Sequence, residues 1–170
     1  NICVAENGDV YVLDTGWCET GFSIDSETIL RYDKDVKNLG VCYEVDYSDI
    51  YCDKHRLFGL NTKDGILYFV AADEKGFSLH SVDADTLEDK VVASWILEDA
   101  ITLIQDFVVD PDEMGVYAID KRGKLLYCQA GEEEVSLLYE QMETEEEIVF
   151  YRGTVGEPGT VYVTDIASGQ

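Results

Sequence analysis

Short apolar runs separated by turn residues recur along the whole chain. Between residues 104 and 129, apolar strands alternate with two turns, Asp110-Pro111-Asp112 and Asp120-Lys121-Arg122-Gly123. Proline fixes φ, aspartate bonds to its local backbone and glycine supplies a positive φ, so both segments reverse the chain. The stretch therefore predicts three antiparallel strands, a meander that must pack against neighbouring sheets.

One phrase occurs four times, a glycine turn followed by an apolar strand that contains a tyrosine. The tyrosines are Tyr11, Tyr68, Tyr117 and Tyr162. Their spacings of 57, 49 and 45 residues are close to the roughly 40–50 residues of one four-stranded propeller blade. Because they share one position in the repeat, we expect these tyrosines to pack between blades. The pattern predicts an all-β fold, a β-propeller-like array of four-stranded antiparallel meanders with about three and a half blades.

The predicted blade-like units belong to one domain that spans residues 1–170. Their order of strand, turn, strand, longer loop, strand, turn and strand is typical of a propeller blade. The last unit lacks two strands, which would leave an unpaired edge. The units cover residues 1–45, 55–97, 101–140 and, incompletely, 148–170.

Residues 85–106 are the exception to this pattern, because they contain neither glycine nor proline. A helix is the rival prediction there, since three apolar residues have the spacing of one helical face. These are Leu87, Val91 and Trp95. The Val-Val and Trp-Ile pairs instead favour strands. We therefore predict two strands, at 91–96 and 103–109.

Residues 9–15, DVYVLDT, are followed by TILRYDKD at 28–35. This phrase resembles NHL-like and related bacterial β-propellers, including the propeller sensor and surface domains of many Firmicutes. Val36 stands where those repeats carry a glycine. The resemblance implies a sensor, ligand-binding or protein-interaction module of a larger bacterial protein outside the cytoplasm, with a cytoplasmic location still open. Propellers host unrelated activities, so the resemblance implies no single function.

The net charge of the chain argues against some classes of binding partner. The chain has 36 acidic and 12 basic residues and a formal net charge of −24. Such a field repels nucleic acid and anionic membranes, so we expect no nucleic-acid role. No run approaches the ~20 apolar residues of a membrane span. Solubility alone explains an acidic surface, while cationic ligands, divalent ions and basic partners stay open.

The five cysteines form no C-x-x-C pair, which excludes a zinc ribbon and a thioredoxin motif. We expect most of them to be free. Cys3, Cys42 and Cys128 lie in apolar runs, where a thiol behaves as a small hydrophobe. Cys18 and Cys52 lie in loop-like segments, and a disulfide of Cys52 with Cys42 or Cys18 stays open.

Two long connections, at 15–22 and 46–53, are the predicted recognition surfaces. They carry aromatic and acidic side chains, and amphipathic rings on loops of a rigid scaffold often bind partners. The candidate binding residues are Trp17, Phe22, Tyr47, Asp49 and Tyr51. A protein partner or a small ligand fits this chemistry.

Paired aspartates on turns are the candidate metal ligands. They are Asp33, Asp35, Asp110 and Asp112. Calcium takes ~6–8 oxygens at one site, but aspartate is favoured on turns for local hydrogen bonding alone. We therefore expect no cofactor, with calcium as the open alternative.

Catalytic motifs are scarce. His55 and His80 are the only histidines, and no nucleophile elbow or phosphate-binding loop occurs. Our hypothesis is a non-enzymatic module. The alternative is a divergent metal-dependent propeller hydrolase or lactonase, which would need three or more convergent carboxylates around one axis.

The incomplete last unit also predicts an assembly. A second copy completes a ring as a homodimer, or the chain is a piece of a longer propeller, or the fold is a different β fold with fewer strands than this count.

Overall fold

The computed structural model describes residues 1–17, 24–46, 55–140 and 150–165. These residues form strands joined by tight turns, together with one short helix, α1 (Ala100–Leu103). The strands are β1 (Ile2–Val4), β2 (Val10–Trp17), β3 (Ile24–Tyr32), β4 (Asn38–Asp46), β5 (His55–Lys63), β6 (Ile66–Asp73), β7 (Gly76–Asp83), β8 (Asp89–Ile96), β9 (Ile104–Asp110), β10 (Gly115–Asp120), β11 (Lys124–Gln129), β12 (Ser136–Glu140), β13 (Phe150–Val155) and β14 (Val161–Asp165).

Each strand pairs with its neighbours in sequence, and all pairs are antiparallel. The result is four sheets of four, four, four and two strands, which we call blades 1 to 4. Blade 1 is β1–β4, blade 2 is β5–β8, blade 3 is β9–β12 and blade 4 is β13–β14. The predicted all-β array of antiparallel meanders is confirmed.

The ambiguous stretch 85–106 consists mainly of strands. β8 begins two residues before the predicted strand and ends with it, and β9 begins one residue late. Between them lies α1, a single turn of four residues. The strand prediction is confirmed because Trp95 and Phe107 both pack into the core between blades 2 and 3. That burial outweighs the helical spacing of the apolar residues.

The blades stack face to face with their first strands side by side. β1 contacts β5, β5 contacts β9 and β9 contacts β13. We call the line of these four strands the inner edge. At one point the approach is very close: a Cβ on Gly59 would lie 2.6 Å from the carbonyl oxygen of Phe107.

Three separate apolar clusters fill the spaces between successive blades. Tyr11 and Ile29 of blade 1 meet Phe69 of blade 2. Blades 2 and 3 share the largest cluster, and blades 3 and 4 share a smaller one. Every residue of β10 is buried, because blade 3 is covered on both faces.

The repeated tyrosines do not all pack alike. Tyr11 and Tyr117 are buried and Tyr68 packs against the core between blades 2 and 3. Tyr162 is 61 % exposed, so the prediction that it packs between blades is wrong. It lies on the outer face of β14, on which none of the described strands packs.

The outer face of blade 1 is apolar. Ile2, Val12, Leu30 and Val41 follow one another across the sheet in register, opposite the face that carries Tyr11. Ile2 is 65 % exposed and Val41 is 44 % exposed. In the other three blades, the corresponding face receives the preceding blade.

Candidate functional site

An acidic groove follows the inner edge where the first strands end. Its volume is about 520 Å³, and it is lined by the later residues of β5, β9 and β13 and by residues at the start of the chain. We call it the acidic groove. Its charged side chains are Glu6, Lys63, Asp64, Asp106, Asp110 and Asp112. Five carboxylates therefore surround one ammonium group.

The single ammonium group is paired. Lys63 Nζ lies 2.7 Å from Asp112 Oδ1, and both side chains are partly exposed. This hydrogen bond raises the pKa of Lys63. The pair joins blade 2 to blade 3 and leaves the groove strongly negative.

Asp106 is buried between β9 and β13. Its Oδ1 accepts a hydrogen bond from Arg152 Nη1 at 3.2 Å, and its Oδ2 accepts one from Gly153 N at 3.3 Å. Burial raises the pKa of Asp106, and the bonds from Gly153 and Arg152 offset part of that rise. This carboxylate therefore connects blade 3 to blade 4.

The turn aspartates bond to backbone amides. Asp110 Oδ1 accepts from the amides of Asp112 and Glu113 at 3.1 and 3.3 Å, and Oδ2 accepts from Gly159 N at 3.0 Å. Asp33 Oδ1 accepts from the amides of Asp35 and Lys37, both at 2.9 Å. These are the local bonds that turn chemistry predicts.

The two aspartate pairs lie in different blades. Asp33 and Asp35 lie between β3 and β4, whereas Asp110 is the last residue of β9 and Asp112 lies in the turn that follows. In the described ranges, no group of three His, Cys, Asp or Glu side chains is placed to hold a metal ion.

A second cavity, of about 330 Å³, lies at the opposite end of the inner edge. It is lined by the first residues of β5, β9 and β13, and we call it the basic cavity. Its charged side chains are Glu27, Arg56, Lys121 and Arg152. Thr15 and Gln105 add polar groups, and Thr15 is the first residue of one predicted recognition loop.

Glu27 is the one carboxylate among the described residues that line the basic cavity, and it is fully buried. Its Oε2 accepts a hydrogen bond from Leu57 N at 2.7 Å, and its Oε1 lies 3.3 Å from Arg56 Nε. The residue thus joins blade 1 to blade 2, as Asp106 joins blade 3 to blade 4. Lys121 Nζ donates to the carbonyl of Thr102 at 2.7 Å.

A third cavity, of about 410 Å³, borders a Ser-His-Asp network in blade 2. Ser78 Oγ lies 3.0 Å from His80 Nε2, and His80 Nδ1 lies 3.1 Å from Asp89 Oδ1. The His80 ring stacks on Phe69 with centroids 5.1 Å apart. Sequence reasoning missed this network, although Ser78 and His80 at i and i+2 necessarily share one face of a strand.

The spacing of this network matches that of a nucleophile, a base and an orienting carboxylate. A serine hydrolase also needs amide donors directed at the developing oxyanion. β7 is bonded to β6 and to β8, so the ladders on both sides use its backbone amides. The bond from His80 to Asp89 joins β7 to β8.

The loop candidates lie mostly outside the described residues. Trp17 ends β2, but its side chain is outside the description. Phe22, Tyr47, Asp49 and Tyr51 lie wholly outside it. All five stay predictions.

The cysteines in apolar strands are free thiols, as predicted. Cys42 and Cys128 are buried and Cys3 is partly buried. Burial raises the pKa of Cys3 and of Cys128 to about 12, and it raises that of Cys42. Cys18 and Cys52 lie outside the described residues.

Comparison with known proteins finds no family model and no curated protein that matches this chain. In the part of the chain that the structure describes, no helix combines the length and the apolar character needed to cross a bilayer.

Proposed function

We propose that this chain is a non-enzymatic, propeller-like binding module of a larger bacterial protein outside the cytoplasm. Its ligand or protein partner binds in the acidic groove. The observation that carries the proposal is a groove at the inner edge lined by five carboxylates from three blades, which in the described residues do not come together as a group placed to hold a metal ion. Clefts lined by one sign of charge concentrate oppositely charged partners.

The bonds of these carboxylates favour binding over catalysis. Asp106 and Asp110 hold blade 4, and Asp112 pairs with Lys63. A general acid or base has to exchange protons with substrate, whereas these groups hold the walls in place. The groove is thus a negatively charged surface on a rigid frame.

The matching partner is cationic. A lysine- or arginine-rich protein segment or a polyamine complements this groove, and such electrostatic pairing chiefly raises the association rate and the specificity. The net charge of −24 adds long-range attraction for the same partners. Affinity should therefore fall as salt is raised, because the Debye length shortens from ~10 Å at 0.1 M to ~3 Å at 1 M.

The test measures binding of an octalysine peptide and of spermine by isothermal titration calorimetry at two salt concentrations. The variant is the double substitution Glu6→Gln and Asp64→Asn. Asp64 has φ 51°, a conformation that asparagine tolerates, so the fold should be preserved. The matched control is Glu133→Gln with Glu134→Gln, two exposed carboxylates outside the groove.

We expect the groove variant to weaken binding by about tenfold, or ~1.4 kcal/mol, and the control to weaken it by less than about twofold. Equal losses in both variants would show that only net charge matters and would refute the proposal. If Tyr47→Ala and Tyr51→Ala abolish binding while the groove variant retains it, the site belongs to the predicted loops.

A further inference from the structure

The basic cavity is lined mainly by cationic side chains, whereas the chain as a whole is strongly acidic. Arg56, Lys121 and Arg152 line it against the single carboxylate of Glu27, which is fully buried and bonded to Leu57 N. The whole chain has 12 basic and 36 acidic residues. Among the described residues that line this cavity, the three-to-one excess of cations is thus the inverse of the overall ratio. Solubility explains an acidic surface but does not explain cations gathered at one place.

The donors reach the cavity from three neighbouring inner strands. Arg56 precedes Leu57, whose amide bonds to Glu27 of the preceding blade, and Arg152 precedes Gly153, whose amide bonds to Asp106 of the preceding blade. Gln105 precedes Asp106 in β9, which lies between β5 and β13. Three successive inner strands therefore each direct a hydrogen-bond donor to the same cavity.

Both arginines are held in place by their neighbours. Arg56 Nε lies 3.3 Å from Glu27 Oε1, and Arg152 Nη1 lies 3.2 Å from Asp106 Oδ1. Arg56 also lies over the ring of Phe58, at 5.7 Å from the centroid. A guanidinium has five N–H donors, so several donors remain available after it has made one bond to a carboxylate. Pre-ordered forks of this kind lose little entropy when they bind an oxyanion.

We infer that the basic cavity binds the carboxylate or phosphate group of a small molecule. Its volume of about 330 Å³ suits a small ligand, since ligand pockets start at ~300 Å³. Arginine forks match the planar or tetrahedral oxygens of these groups, and Lys121 adds a point charge. Ile101 and Ile104 form an apolar wall beside the donors, which suits a ligand that has an apolar body behind its anionic group.

The basic cavity and the acidic groove share Asn1 among their lining residues, but Lys121 lines only the basic cavity, so a test at Lys121 does not depend on the proposed function. Isothermal titration calorimetry of the purified protein uses inorganic phosphate in one arm and citrate in the other, at 50 and 300 mM NaCl. Lys121→Gln is the main variant, because Lys121 is exposed and bonds only a backbone carbonyl. Lys90→Gln is the matched control, an exposed lysine in β8 that pairs with Glu88.

We expect one equivalent of phosphate or citrate to bind. The affinity should be about tenfold lower in Lys121→Gln and unchanged in Lys90→Gln. Binding should weaken at the higher salt concentration. The stronger arm identifies the ligand class as a phosphate or as a carboxylate.

Arg152→Gln provides a second variant at the other side of the cavity, and it should also weaken binding about tenfold. Its fold is checked by circular dichroism, because Asp106 loses an ion-pair partner. Failure of both anions to bind at millimolar concentration would overturn the inference. So would an equal loss of affinity in Lys90→Gln, since the anion would then respond to net charge alone.

Discussion

Val36 occupies a backbone conformation that favours glycine, and replacing it should stabilise the protein. Its φ is 65°, in the turn between β3 and β4, where its amide donates to the carbonyl of Asp33 at 2.9 Å. The left-handed region costs an L-residue about 1–2 kcal/mol, and a β-branched side chain lies at the upper end of that range. Val36→Gly removes this strain.

Two costs offset part of the gain. Glycine loses more backbone entropy on folding, which costs about 0.5–1 kcal/mol. The side chain is 78 % exposed, so its loss removes little buried surface, worth about 0.3 kcal/mol. The net stabilisation is about 1 kcal/mol, and with a urea m-value of ~2 kcal/mol/M the unfolding midpoint should rise by about 0.5 M.

The assay is urea unfolding followed by tryptophan fluorescence, with Val36→Ala as the control. Alanine lacks the branched Cβ but keeps the steric penalty for positive φ, so its gain should be less than half that of glycine. A lower midpoint for Val36→Gly would refute the reasoning. An equal gain for Val36→Ala would also refute it, because the effect would then come from the side chain rather than from φ.

Three further predictions concern the inner edge and the buried thiols. Because the folded-state pKa of Asp106 is raised, its protonation stabilises the fold, and this contribution is present at low pH and is lost as pH rises through the folded pKa. The stability of the wild type relative to Asp106→Asn, measured by urea unfolding, should therefore increase from pH 7 to pH 4; a constant difference would contradict this. Gly59→Ala should lower the free energy of unfolding by at least about 2 kcal/mol, because φ of Gly59 is 58° and the new Cβ would meet a backbone carbonyl of β9. An unchanged urea midpoint would show that β5 and β9 can separate. Burial raises the pKa values of Cys3, Cys42 and Cys128. In a variant that lacks Cys18 and Cys52, these three thiols should therefore resist iodoacetamide at pH 8 and should react once urea is added. Fast labelling of the native protein would show that the apolar clusters open.

The strands were predictable because their signals are local. Alternation of apolar and polar residues, together with aspartate and glycine at the turns, specifies where each strand begins and ends. This signal is contained in a stretch of about ten residues. The interpretation of Asp33 and Asp110 as turn residues follows from the same local chemistry, and both bond to amides two residues later. Cysteines in apolar runs were correctly predicted to be free for the same reason.

Predictions that depended on neighbouring blades were less successful. Tyr162 has the same local pattern as Tyr117, but Tyr117 lies between two blades whereas Tyr162 faces outward from β14. Repeat position specifies which face of its own strand a side chain takes. It does not specify whether another sheet covers that face.

The sequence by itself determined the meanders, the turns and the excess of negative charge, because each depends on composition or on residues close together in the chain. Only the tertiary structure decided where the charges gather. Arg56 and Arg152 lie far apart in sequence, yet both lie in the first halves of inner strands and line one cavity. The ends of the inner strands β5 and β9 bring Asp64 and Asp110 to the acidic groove. Stacking of the blades along the inner edge produces this separation of charge, since it places the first strands of successive blades side by side.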